Sequence, residues 1–174
     1  MSDRRGAPVA DFRAIDWTRW QPDEHATLCF VLRGRDVLLI RKKRGLGAGK
    51  INGPGGRLEP GETPLACAVR ETREELGITP RGVEARGELR FQFTDGYRLH
   101  GHVFAARAFD GTPVETAEAA PLWTPVDAMP YEEMWEDDRL WFPHLLAGRW
   151  FDGRFLFDSA TDAMLHAELD VAEG

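Results

Sequence analysis

The sequence is poor in cysteine: Cys29 and Cys67 are the only two in 174 residues. A fold stapled by several disulfides is thereby excluded. The two fall in a predicted strand and a predicted helix, so they read as buried thiols of a reducing compartment. No apolar run approaches the roughly 20 residues that cross a bilayer as a helix. Met1 to Ala10 is polar and charged, unlike a signal peptide. A cytoplasmic protein without a membrane partner is expected. Basic residues are outnumbered, 22 Lys and Arg against 29 Asp and Glu, for a net charge of −7. Such a chain lacks the basic face that coats a nucleic acid polymer. A single nucleotide held by local bases and a cation is not excluded. Internal repeats and low-complexity tracts are absent too. Ten Phe and six Trp remain, enough for the core of one globular domain at this length.

The most ordered pattern runs from Gly53 to Ile78. A glycine-rich loop, Gly53 to Gly56, continues through Pro60 and Gly61. Thr63 can cap a helix, and Pro64 suits its first position, where no N–H is needed. Leu65, Val69, Thr72 and Leu76 recur at helical spacing and predict a buried stripe. Gly77 suits a left-handed stop. Glu71, Glu74 and Glu75 stand at i, i+3 and i+4, so their carboxylates share a face and repel. Arg70 and Arg73 can neutralise part of that charge. A hard divalent cation that prefers oxygen ligands would do so better. Taken alone, the string is equally a solvated helix face laced with ion pairs.

Residues 1–24 read as an N-terminal extension and 25–174 as the main domain. The first ten residues are expected to be loose, whereas Phe12, Ile15, Trp17 and Trp20 are apolar enough to pack on the domain. Thr27 to Leu32 and Val37 to Ile40 are predicted strands about a turn at Arg33 to Asp36. Lys42 to Lys50 tempts one to see a phosphate-binding P-loop. Its spacing fails, because Arg44 replaces the first glycine and Ile51 the hydroxyl residue after the lysine. Lys43 and Arg44 read as solvated. Further strands are predicted at Leu89 to Thr94 and Tyr97 to Phe109, about an Asp95-Gly96 hairpin signal. An acidic loop, 110–121, carries Glu115 and Glu118. A short strand, Leu122 to Pro125, and a helical turn, Val126 to Met129, follow. A helix is predicted over Arg139 to Ala147, with Asp137 and Asp138 near its first turn. A turn at Asp152-Gly153 and closing strands complete an α+β arrangement, a mixed sheet sandwiched between helices.

In order, Gly56, Glu62, Arg70-Glu71, Glu74-Glu75 and Gly77-Ile78 resemble the Nudix box, with Thr72 standing where a bulky aliphatic is usual. The resemblance implies the Nudix fold and a Mg²⁺-dependent hydrolase, with Mn²⁺ as a second metal. Glu71, Glu74, Glu75, the Gly55 carbonyl and Glu118 are the implied metal ligands. Arg70 would orient the glutamates, and the one acting as base stays open. From Thr27 to Val171 the chain is similar to the 8-oxo-dGTP diphosphatases of the MutT-homologue branch. Lys42 to Gly49, Asn52-Gly53, His102 to Phe104, Gly111 to Glu115, and Met134 to Asp138 followed by Trp141 to Pro143 carry that likeness. It implies that Asn52, Asp137 and Asp138 read the purine edge. Trp135 would stack on the base, Phe91 would line the pocket, and Thr27 and Lys42 would contact the sugar side. Simple alternatives are a helix cap for Asp137-Asp138 and core packing for Trp135 and Trp141. Leu46, Ile51 and Pro54 depart from the aromatics that familiar members carry there. A monomer acting on a small-molecule nucleotide is expected. Rival possibilities are a broad nucleoside triphosphate or nucleotide-sugar pyrophosphatase, and a non-catalytic binding module.

Overall fold

A computed structural model describes residues 6–173. β1 (Glu24–Arg33) and β2 (Asp36–Lys42) form a hairpin, followed by the short β3 (Ile51–Asn52) and β4 (Gly55–Arg57). The helix α1 (Pro64–Leu76) comes next, then β5 (Thr79–Arg81), β6 (Glu84–Phe93), β7 (Arg98–Ala106), β8 (Ala108–Asp110) and β9 (Ala119–Pro125). The helix α2 (Asp138–Leu146), β10 (Phe151–Phe157) and β11 (Met164–Val171) close the chain. The main sheet runs β11-β10-β6-β7-β1-β2-β3, with β4 paired to β1 and β9 to β2. It is mixed: β1 with β7 and β10 with β6 are parallel, and the other pairs are antiparallel. β5 and β8 form a separate ribbon.

The two helices cover opposite faces. Alternation along β1 sends Leu28, Phe30 and Leu32 one way and Thr27, Cys29 and Val31 the other. The first set joins Trp141, Phe142 and Leu145 of α2 in the larger core. Val31 packs with Leu76 of α1, and Cys29 with Ala68 of α1 and Phe104 of β7. The sandwich expected from the sequence is therefore present.

Helix α1 starts and stops as its sequence dictates. The Thr63 hydroxyl accepts from the Ala66 N–H at 3.2 Å, and Gly77 adopts φ 72°. Its buried stripe differs from the expected one. Leu65 is 47% exposed and Val69 only part-buried, while Cys67, Ala68, Thr72, Glu75 and Leu76 face inward. Glycines explain the shift: a Cβ on Gly55 would overlap the Thr27 carbonyl, and one on Gly56 would lie 2.5 Å from the Glu71 carboxyl carbon. β4 thus lies close against both β1 and the helix, and the helix meets it through small side chains.

Three local expectations change. Asp152-Gly153 is inside β10, paired with β6 and β11, rather than a turn. A Cβ on Gly153 would come within 2.5 Å of the Phe155 ring, so this glycine makes room for packing within a strand. Val126 to Met129 forms a turn without a helix. Of the first ten residues, 6–10 are described and are held: Gly6 donates to Gly96 O at 3.2 Å and Val9 to Thr94 O at 3.0 Å. The expectation for 1–5 lies outside the described residues. The rest of the extension packs as its apolar residues require. Phe12 is buried, Trp17 contacts both Phe12 and Trp20, and Trp20 Nε1 donates to Gln92 at 3.0 Å. Asp23 pairs with Arg98 at 2.9 Å. Among the described residues no helix is long and apolar enough to cross a membrane.

Candidate active site

One cleft of about 380 Å³ gathers nearly all the predicted site residues. Glu71, Glu75 and Glu118 line one part of it. Asp137, Asp138, Asn52, Phe91 and Trp135 line another, and Thr27, Lys42 and Gly55 lie between. The residues span β1, β2, β3, β4, α1, β6, the loop before β9 and the start of α2.

The acidic end is built by α1. One oxygen from each of Glu71, Glu75 and Glu118 lies within 4.8 Å of the others. Glu75 is 4% exposed, and its Oε2 is buried without a hydrogen-bond partner. Burial, then the neighbouring charge of Glu71, pushes Glu75 up to about 8, against the pull of the Gly55 backbone and Lys42. Burial also raises Glu71, opposed by Arg70. Repelling, half-satisfied carboxylates in a closed space suit a hard divalent cation. Glu74 stands apart, with its side chain 51% exposed and bonded to Arg70 at 3.1 Å. Sequence spacing put three glutamates on one face, but only two point inward, and Glu118 completes the set from another element.

Arg70 fixes this arrangement. Its guanidinium donates to Glu62 at 2.7 and 2.9 Å, to Glu71 at 2.9 Å, to Glu74 at 3.1 Å and to the Arg57 carbonyl at 3.2 Å. Donation from Arg70 holds Glu62 down to about 2. Arg70 does not line the cleft, so it positions Glu71 while tying the loop after β4 to the helix. Arg44 and Lys43 are exposed, as expected, and at the surface they pair with Glu118 at 3.0 Å and Glu115 at 3.3 Å. The basic loop is thus clamped to the acidic one.

The other end holds two adjacent buried carboxylates. Asp137 and Asp138 are each 2% exposed. Asp137 occupies the cap position of α2 but makes no capping hydrogen bond; its carboxylate accepts from Trp141 Nε1 at 2.8 Å. The simple cap is therefore not what these residues form. Asp138 Oδ2 has no hydrogen-bond partner. Burial pushes Asp137 up to about 6, and burial plus the charge of Asp137 raises Asp138 well above the usual carboxylate range. Trp141 itself is core, stacked on Phe151 at 5.3 Å. Trp135 is part-buried, edge-on to Phe157 at 5.6 Å, with Lys50 5.1 Å from its ring centre. Phe91 stacks on Phe155 at 5.4 Å. The Asn52 side-chain Oδ1 accepts from the Gly53 N–H at 2.8 Å, which leaves its side-chain N–H groups to the cleft. Thr27 Oγ1 lies 3.4 Å from Cys67 Sγ and so also braces α1.

Sequence reasoning missed the apolar wall formed by Leu28, Leu89, Phe93, Leu99 and Phe157. Their alternation in β1, β6, β7 and β10 marks a face, but core and cleft look alike in such a pattern. Of the three departures from familiar aromatics, only Leu46 lines the cleft. Ile51 is core, and the Pro54 carbonyl accepts from the Cys29 N–H at 2.8 Å.

Known proteins place this arrangement. The chain is 40% identical over 148 residues to an oxidized purine nucleoside triphosphate hydrolase of Danio rerio, covering 84% of this chain and 94% of that protein. It is 42% identical over 146 residues to the Mus musculus protein of the same name, covering 83% and 94%. The crystal structure of a mutator MutT protein from Bacillus halodurans superposes with a TM-score of 0.75 at 29% identity, over 84% of this chain and 97% of that one. Residues 23–145 match the NUDIX domain. A glycine-braced acidic helix, a cleft with carboxylates at both ends and this likeness over most of its length lead to one conclusion: the chain belongs to the NUDIX family of hydrolases.

Proposed function

We propose that the protein hydrolyses oxidised purine nucleoside triphosphates, 8-oxo-dGTP and also 2-oxo-dATP, to the monophosphate and pyrophosphate. The catalytic domain is taken as residues 25–174. The observation that carries this is the shared cleft. A carboxylate pair able to hold a proton lies in the same cavity as the glutamates expected to hold the metal. The relatives in zebrafish and mouse bear names of that activity.

Nudix hydrolases generally use a divalent metal, and the residues here fit one. Glu75 has an orphaned buried oxygen, Gly56 leaves no room for a side chain beside Glu71, and the donors are all oxygens. Glu71, Glu75, Glu118 and the Gly55 carbonyl would hold it, with Mg²⁺ the metal of choice and Mn²⁺ a substitute. When bound, such a cation neutralises the triphosphate and makes water a better nucleophile. Glu74, which Arg70 holds outside the cleft, would support the metal only indirectly. A glutamate of the helix accepts the proton of the water that attacks the β-phosphorus. Lys42 offers its ammonium to the phosphates, and Thr27 its hydroxyl to the sugar side.

At the far end the base enters between Trp135 and the Phe91 wall. A neutral Asp138 beside an ionisable Asp137 can present a donor and an acceptor, and moving one proton reverses the pattern. The edges of 8-oxoguanine and 2-oxoadenine differ in that sense, and Asn52 supplies the adjacent amide. The test is a nucleotide panel with Mg²⁺ and detection of pyrophosphate. Preference for 8-oxo-dGTP over dGTP is expected. Equal rates on both, or a preference for nucleotide sugars, would replace this substrate by the broader pyrophosphatase.

A further inference from the structure

The α1 face of the sheet carries a group that the cleft does not use. His25 of β1, His100 and His102 of β7 and Glu88 of β6 meet there. Register brings them together: His25 pairs with His100 across the parallel strands, and His102 pairs with Glu88 across the antiparallel ones. One nitrogen from each of the three imidazoles lies within 4.8 Å of the others. His25 Nδ1 is 3.0 Å from His102 Nε2. Glu88 Oε1 is 3.6 Å from both His100 Nε2 and His102 Nδ1. His100 and His102 stack with ring centres 4.5 Å apart. Their side chains are only 13% and 16% exposed, and His100 Nε2 is buried with no hydrogen-bond partner.

We infer that His25, His100 and His102 form a second metal site, distinct from the acidic cleft, selective for a borderline-soft divalent cation of the Zn²⁺ type. Three imidazole nitrogens, with water in the fourth position, are a ligand set that Zn²⁺ takes tetrahedrally and that Mg²⁺ does not favour. Glu88, on the His102 nitrogen opposite the one that meets His25, orients that ring rather than binding the cation. Zn–N bonds of about 2.0–2.1 Å put ligand nitrogens about 3.3 Å apart in a tetrahedron. The pair at 3.0 Å opens slightly, and rotation of the exposed His25 ring adjusts the other separations, all within 4.8 Å. Burial keeps His100 and His102 uncharged, as ligands must be. Arg90, the cation whose charge acts on both His100 and His102, is already paired with Asp152 at 2.8 Å. Leu99 and Gly101, which alternate with these histidines along β7, line the cleft, so the strand separates the two sites.

The position gives the site a task. Trp20 of the extension lies 6.4 Å from the His100 ring, and His25 follows one residue after β1 begins. A cation there fastens the start of β1, and with it the extension, to β7.

Thermal melts of the full chain in excess Mg²⁺, with and without Zn²⁺, test this. At Zn²⁺ near 100 times its Kd, the midpoint should rise by roughly 5–10 °C. The rise should vanish in His25→Ala and His102→Gln and persist in Glu75→Gln. Co²⁺ should give the visible absorption of a tetrahedral complex in the wild type and lose it in His25→Ala. A rise that survives both histidine changes and disappears in Glu75→Gln would put Zn²⁺ in the cleft and overturn the site. So would no effect of Zn²⁺ on the wild type. His25 is exposed, so His25→Ala decides the matter even if His102→Gln fails to fold.

Discussion

Glu74 and Glu75 are adjacent in sequence, yet only Glu75 enters the cleft. Their amide variants should therefore differ. Glu75→Gln should lower kcat by about 10²–10⁴-fold, as expected for a group that holds metal or moves a proton at the reacting centre. Glu74→Gln should cost less, because Arg70 keeps that carboxylate half-exposed. Steady-state rates over a Mg²⁺ titration check this, and a Glu74→Gln loss as large as that of Glu75→Gln would count against it. The aspartate pair makes a different prediction. Both groups are raised in the folded state, chiefly by burial. Folding then favours the protonated forms. Their contribution is whole below the ordinary value of 3.8 and is lost as pH rises through about 6 for Asp137. Asp137→Asn should flatten the fall in melting temperature between about pH 4 and 6, while its amide oxygen still accepts from Trp141. The same change, and Asp138→Asn, should collapse the ratio of 8-oxo-dGTP to dGTP turnover more than turnover itself. A wild-type ratio in both variants would remove the pair from base recognition.

Elements meet here at their glycines. Gly87 of β6 lies against the Phe151 ring of β10, and any Cβ there would overlap it. Gly87→Ala should destabilise the fold by about 1–3 kcal/mol, since a packed aromatic has to move. Urea unfolding with an unchanged slope would report it cleanly. Trp135 gives a prediction for the segment before α2. Trp135→Ala should weaken purine triphosphate binding by roughly 1–3 kcal/mol if the base stacks on it. A lowered melting temperature with KM unchanged would mark it as packing alone. The helix α1, with its Thr63 cap and Gly77 stop, was legible because such signals act within a few residues. The inward face of α1 was not. Leu65 looks like core by period, but the side chains that face β4 are chosen by how closely that strand approaches. Gly153 misled for a related reason: Asp-Gly marks turns locally, whereas here a neighbouring Phe needs the space. The pairing of Glu118 with Glu71 and Glu75, and the meeting of three histidines, depend on strand register over dozens of residues. No local pattern carries that information.

On the scale of the whole molecule, the extension covers the face of the sheet away from the nucleotide. Phe12 lies 4.1 Å from the His166 ring of β11, and Trp20 bonds Gln92 of β6. Removing residues 1–22 should cost about 2–5 kcal/mol, from the apolar side chains returned to water. It should leave kcat nearly unchanged, since none of the described residues among them lines the cleft. Melting and turnover measured on one truncated preparation separate the two effects. The thiols have a bearing on where such a molecule can work. Cys29 and Cys67 are unpaired and buried, and burial raises each to about 11. About one thiol in 10⁴ is then ionised at neutral pH, and the thiolate is the form that oxidants attack. The conditions that oxidise purines also consume exposed cysteines. A protein that clears such nucleotides is needed most when peroxide is highest, and this one keeps both cysteine thiols out of reach at that moment.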